Sequence, residues 1–272
     1  MAVTISSFPR VFYGVKTAEE QARFFKECGY AHGDLLIREN FVVDNDSPTE
    51  AFQAVYDTYE KEGVRLYSAI TDLNAPCGNM EKILDFCGKH GMRKIKIGPY
   101  RYAGDSYRNL FAKARVDLVG LEQLSKRHGV QILVQNHGGT INSSPSLSRA
   151  LVEGFDPDNV AVYYDAGNMM CVEGHEAWAM GIDILGKYLR HVGVKNVRWF
   201  KKPDGGWGRD FCRLREGIID YLEVLGALRS SGYSGDYAVH TFYVPDGSVH
   251  EKTTIEAAAD DLAHFKELLG KI

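Results

Sequence analysis

The stretch VQILVQNHGG, Val130 to Gly139, decides how the chain is read. Four apolar residues, Val130, Ile132, Leu133 and Val134, run into Gln135, Asn136 and His137, and two glycines then break the strand before a helix begins after Ser144. A buried strand that turns polar only at its C-terminal end, then loops into a helix, is one β/α unit.

The same unit recurs in both directions. Upstream lie RKIKIGP (93–99) with a long helix around 106–128, VRLYSAI (64–70) with a helix around 79–90, and GDLLIRE (33–39) with a helix around 48–62. The first unit is VTISSFP (3–9), followed by the capping box Thr17-Ala-Glu-Glu20 that starts a helix running to about Gly29. Downstream come NVAVYYDAGN (159–168) with a helix from about Gly174, LRHVGVKN (189–196) with a helix around 213–231, and DYAVHTFY (236–243). The terminal helix carries Ile255, Ala259, Leu262, Phe265 and Leu269 at helical spacing. Eight such alternations predict an α/β fold, a closed (β/α)8 TIM barrel, with residues 1–272 as a single domain, since no linker-like segment interrupts the series.

Composition narrows the partners. The formal net charge of -4 is spread among interspersed acids and bases, which argues against nucleic acid and against an anionic membrane surface. The five cysteines lack close CxxC pairing and read as reduced thiols. No apolar run reaches the roughly 18 residues a bilayer demands, so the expectation is a cytoplasmic protein handling a small molecule.

Chemistry in such barrels gathers where the strands end and the βα loops meet. Strand alternation places Leu133, Gln135 and His137 on one inward face, Tyr163 with Asp165, His191 with Gly193 and Lys195, and Ala238 with His240 and Phe242. Polar groups end each set.

At these residues the chain resembles the sugar phosphate isomerase/epimerase family, the xylose isomerase-like barrels. The resemblance spans nearly the whole chain and is carried by NHGG, YYDAGN, LRHVGVKN and the run LREGIIDYLEVLGALRSSGYSGDYAV (214–239). It implies a divalent metal held by Glu, Asp, His and Glu from four strands, beside a sugar whose proton a carboxylate moves. Carried over position by position, the first Glu falls on Gln135, the Asp on Asp165, the His on Gly193 and the last Glu on His240. Only Asp165 is unchanged. One carboxylate in place of three weakens the hold on a hard cation, so a retained metal on Gln135, Asp165 and His240 would be Zn or Mn in preference to Mg. The alternative is a hydrogen-bonded polar cluster with no ion.

The remaining candidates follow from position. His137, His240 and Lys195 are the expected catalytic groups, because imidazole can replace a carboxylate in moving a proton near neutrality and the lysine can hold a substrate oxygen. Lys96, Arg101 and Asn168 are expected to bind substrate, as are Trp199, Trp207 and Arg209 of the Gly-rich segment WFKKPDGGWGRDF (199–211), which is read as a loop that covers a sugar or packs in a homo-oligomer. The expected activity is isomerisation or epimerisation of a small polyhydroxylated substrate. A lyase or dehydratase of the same fold comes second, and a non-catalytic sugar-binding barrel or partner subunit third.

Overall fold

The protein is described by a computed structural model covering residues 3–9, 15, 17–172, 178–241 and 251–272. Eight parallel strands close the barrel: β1 (Ile5–Ser7), β2 (His32–Ile37), β3 (Arg65–Thr71), β4 (Lys94–Lys96), β5 (Gln131–Gln135), β6 (Val160–Asp165), β7 (Leu189–Val194) and, after the two-stranded hairpin β8 (Asn196–Lys201) and β9 (Trp207–Cys212), β10 (Asp236–Val239). Strand β10 pairs with both β7 and β1, which completes the ring. The chain is therefore a closed (β/α)8 barrel.

Alternation along each strand separates two cores. On β6, Val160, Val162 and Tyr164 face the helices, whereas Ala161 and Tyr163 join Leu133 and Ala238 inside the ring. The helices α1 (Ala18–Glu27), α2 (Thr49–Glu62), α3 (Gly78–Lys89), α4 (Tyr107–His128) and α5 (Pro145–Val152) begin as their cap residues dictate. Thr17, Ser106 and Ser144 each accept a hydrogen bond from the third residue onward, satisfying an amide that the helix leaves orphaned. Helix α2 buries Phe52, Val55 and Tyr59 along one stripe, each such side chain contributing about 2 kcal/mol of transfer free energy.

Three expectations about elements change in the structure. A short helix α6 (Ala166–Val172) follows β6 without a loop, and α7 (Trp178–Leu185) comes next; the expected helix start at Gly174 lies outside the described residues. The segment 199–211 is not a loop but the two arms of the β8/β9 hairpin, antiparallel with Lys201 opposite Trp207. Its aromatic residues favour strands, and the chain turns at Pro203, Asp204 and Gly205, where the Gly205 amide donates to the Lys202 carbonyl oxygen at 3.0 Å. The helix expected around 213–231 is shorter, α8 (Tyr221–Ser230), with Asp220 as its cap. The last helix, α9 (Glu251–Leu269), buries Ala258, Leu262, Phe265 and Leu268.

The two ends of the barrel differ in charge logic. At the strand starts, the Lys94 ammonium reaches across the ring to the Asp236 carboxylate and donates to the Arg190 carbonyl oxygen at 2.9 Å. Just above, Asp34 is buried with Ser68 Oγ donating to it at 2.8 Å, and burial lifts its carboxyl to about 7. The strand ends open instead into a cavity. Among the described residues no helix is long and apolar enough to cross a membrane, and Cys28, Cys77, Cys87 and Cys212 are free thiols.

Candidate active site

A cavity of about 540 Å³ opens at the C-terminal ends of the strands. Each wall residue stands there because its strand changes from apolar to polar at that point. Gln135 ends β5, Lys96 ends β4, and Lys195 and His240 follow the last residues of β7 and β10. His137 lies two residues beyond β5 and is exposed at the mouth, its Nδ1 2.9 Å from the Gly138 carbonyl oxygen.

Beneath this floor lies Asp165, with no exposed surface. A buried carboxylate is tolerated only when its charge is met and its lone pairs are filled. Both conditions hold here. The Lys195 ammonium is 3.1 Å from Oδ2, Gln135 Nε2 donates to the same oxygen at 2.7 Å, and the Asn168 amide donates to Oδ1 at 2.8 Å. Asn136 locks the backbone by donating to the Asp165 carbonyl oxygen at 2.9 Å and accepting from its amide at 2.7 Å. Lys195 also donates to Asn168 Oδ1 at 2.6 Å, and its Nζ lies 4.9 Å from the centre of the Phe211 ring.

His240 is held separately. Burial keeps the Tyr163 hydroxyl protonated, its pKa well above the usual phenol range, and that hydroxyl is hydrogen-bonded to His240 Nε2. Phe8 stacks on the imidazole at 4.8 Å. The ring of Tyr163 reaches that position because Gly193 has no side chain: a Cβ there would sit 2.7 Å from Tyr163 Cε2 and 3.1 Å from Asp165 Oδ2. Gly167 makes the matching allowance for Lys195, whose Cγ would be 2.6 Å from an added Cβ. Gly193→Ala is expected to lower stability by about 1–3 kcal/mol through overpacking. Urea unfolding would read it, and an unchanged midpoint would mean that the Tyr163 ring swings aside freely.

In this structure the three residues expected as metal ligands, Gln135, Asp165 and His240, are engaged by protein partners. The amide turns its nitrogen, not its oxygen, to Asp165; the carboxylate is occupied by three donors; and His240 Nε2 is engaged by Tyr163. Among the described residues no group of three His, Cys, Asp or Glu side chains is placed to hold an ion. The donor set does not fit a divalent cation, and a lysine ammonium supplies the positive charge against Asp165 instead.

Other candidates divide by position. Lys96, Arg101, Asn168 and Arg209 line the cavity. Trp199 and Trp207 do not, being 42% and 60% exposed on the hairpin with Arg209 and Lys201 over their respective rings. By strand alternation Trp199, Trp207 and Arg209 share one face of the hairpin, with Arg209 opposite Trp199, and of the three only Arg209 reaches the cavity. His191 is fully buried with its ring 4.5 Å from that of Tyr163 and does not reach the mouth; burial pushes its pKa down to about 3. Asn196, beside Lys195, turns away to brace the hairpin, donating to the Leu214 and Ile219 carbonyl oxygens. Phe242 lies outside the described residues.

Several lining residues escaped sequence reasoning, among them Phe8, Arg38, Asp72, Asn142, Asp210 and Phe211. Arg38 and Asp72 pair at 2.9 Å across the ends of β2 and β3. Their signal was available, since each is the first charged residue after an apolar strand.

Comparison with known proteins places this geometry. The profile of the xylose isomerase-like TIM barrel family matches residues 23–268. An inosose dehydratase of Bacillus licheniformis is 27% identical over 166 residues, 56% of this chain and 52% of that protein. The chain thus spans about half the length of the curated relatives it matches. Among solved structures, a xylose isomerase-like TIM barrel protein from Mycobacterium smegmatis in complex with magnesium superposes with a TM-score of 0.77 at 16% identity, covering 98% of each chain. A D-psicose 3-epimerase from Clostridium cellulolyticum H10, with D-tagatose, gives 0.74 at 14% identity over 98% of this chain and 99% of that one. Divalent metals thus occur among barrels of this fold.

Proposed function

We propose, for a chain that belongs to the xylose isomerase-like TIM barrel family, a sugar-modifying enzyme that moves a proton beside the carbonyl of a small, anionic, polyhydroxylated substrate. The observation that carries this reading is the shared cavity of His137, His240 and Lys195 above an Asp165 whose charge is already balanced. Two imidazoles can take and return a proton at one carbon, and an ammonium can stabilise the oxygen that becomes negative as the proton leaves. The wall also holds Arg38, Lys96, Arg101 and Arg209 against Asp72 and Asp210, so an acid or phosphate group on the substrate is favoured. No step requires the metal that the donor set does not fit.

Epimerisation and dehydration can both begin with this step, and the similarity to an inosose dehydratase supports water loss as the second outcome. Incubation with a panel of phosphorylated and carboxylated ketoses in D2O with EDTA separates them by mass. Expected is deuterium at the carbon next to the carbonyl, slowed about 10²- to 10⁴-fold in His137→Ala. Loss of water with the exchange marks a dehydratase. Exchange that appears only after a divalent ion is added would overturn the metal-independent reading.

A further inference from the structure

Lys96 is the last residue of β4, and its side chain points inward, since Ile95 and Ile97 on either side belong to the core that faces the helices. It is 6% exposed, yet it lines the cavity. Among the described residues its ammonium forms no hydrogen bond and no ion pair. Every other buried or half-buried lysine near the barrel interior is satisfied: Lys94 by Asp236 and Arg190, Lys195 by Asp165 and Asn168. A buried lysine without partners is costly unless it is neutral. Arg38 and Lys195 stand close enough to disfavour a third positive charge, outweighing the smaller opposing pull of Asp72 and Asp165. Burial first, then Arg38 and Lys195, bring the Lys96 amine down to about 7. A neutral amine at the floor of a cavity rich in cations is a nucleophile for a carbonyl carried by an anion.

We infer that Lys96 forms an imine with the carbonyl carbon of an anionic keto or aldehyde substrate, so that a protonated imine serves as the electron sink in a cavity whose donor set does not fit a metal. The Nζ lone pair forms the C–N bond while the C=O π pair moves onto oxygen. The nitrogen gives up one proton to the oxygen, the oxygen takes a second from an imidazolium such as that of His137, and the C–O bond breaks to release water and leave the iminium. Removal of the adjacent C–H proton by an imidazole then sends its electron pair into the iminium as an enamine. Reprotonation and addition of one water restore the carbonyl and the free amine. No oxidant or reductant is consumed. This proposal rests on the proton-transfer reading above and names the group that holds the carbonyl.

The test uses glyoxylate, a small anionic aldehyde, with cyanoborohydride on the intact protein at pH 7.5, and reads each modified lysine by peptide mass. Lys96 should be alkylated at least about tenfold faster than the exposed Lys61, because burial beside Arg38 and Lys195 leaves much of the Lys96 amine neutral at that pH. Lys96→Arg should lose that adduct and should also lose deuterium exchange on the ketose panel while remaining folded. Labelling of Lys96 no faster than Lys61 overturns the imine and leaves the proton-transfer reading standing if exchange persists. Full exchange in Lys96→Arg overturns it equally. Rapid labelling of Lys96 without exchange on any ketose supports the reactive amine and sinks the proton-transfer reading instead.

Discussion

Lys195→Met is expected to remove about 3–5 kcal/mol of stability, because it strips the cation from a carboxylate that has no exposed surface. The methionine stem still fills the channel beside Gly167, so the loss isolates charge from packing. Asp165 would keep the Gln135 and Asn168 donors, which cannot replace a positive charge in a water-poor site. The double variant Lys195→Met with Asp165→Asn should recover most of the loss, since removing both partners leaves no uncompensated ion. Urea unfolding of the four proteins of this cycle measures it. A single variant within about 0.5 kcal/mol of wild type would mean that Asp165 does not depend on the ammonium.

A second large effect concerns Asp34 and pH. Its carboxyl is raised by burial, from an ordinary value of 3.8 to about 7, with Ser68 Oγ donating against that shift. The folded protein therefore holds a proton between about pH 4 and 7 that the unfolded chain has released. The stability linked to it is complete below pH 4 and is lost as pH rises through 7, amounting to about 4 kcal/mol. His191 acts in the opposite sense across much of this window, since its depressed pKa removes stability as pH falls from about 6.5 to 3. Wild-type stability alone would thus look flat. The informative quantity is the difference between Asp34→Asn and wild type, in which His191 cancels: near zero at pH 4, it should grow in favour of the variant by up to about 4 kcal/mol at pH 8. A pH-independent difference would show that Asp34 titrates as an ordinary carboxyl.

Alternation was legible in the residues. VQILVQNH, NVAVYYDAGN and DYAVHTFY each run apolar and then polar, which identifies strands, their direction and the rim where chemistry gathers. That was enough to name Gln135, His137, Asp165, Lys195 and His240 as one set, because strand period and barrel closure together leave few other places for them. The helix starts at Thr17 and Ser144 were equally local, being set by a side chain and an amide three residues apart.

What each polar group does was decided only in three dimensions. Gln135 as a donor to Asp165, Tyr163 as the hydroxyl that engages His240, and Lys195 as the cation in place of a metal all depend on partners from other strands. Gly193 could be read in sequence as a missing ligand, but not as the space that the Tyr163 ring fills. Lys96 could be read as a charge near the mouth, but not as one lacking a partner. The sequence by itself therefore determined the barrel and its functional rim, since periodicity and capping act over a few residues. Only the tertiary structure decided charge state and ligand chemistry, because burial and hydrogen-bond pairing arise between segments 30 to 77 positions apart along the chain, as from Asp165 to Gln135 or Lys195 and from Tyr163 to His240.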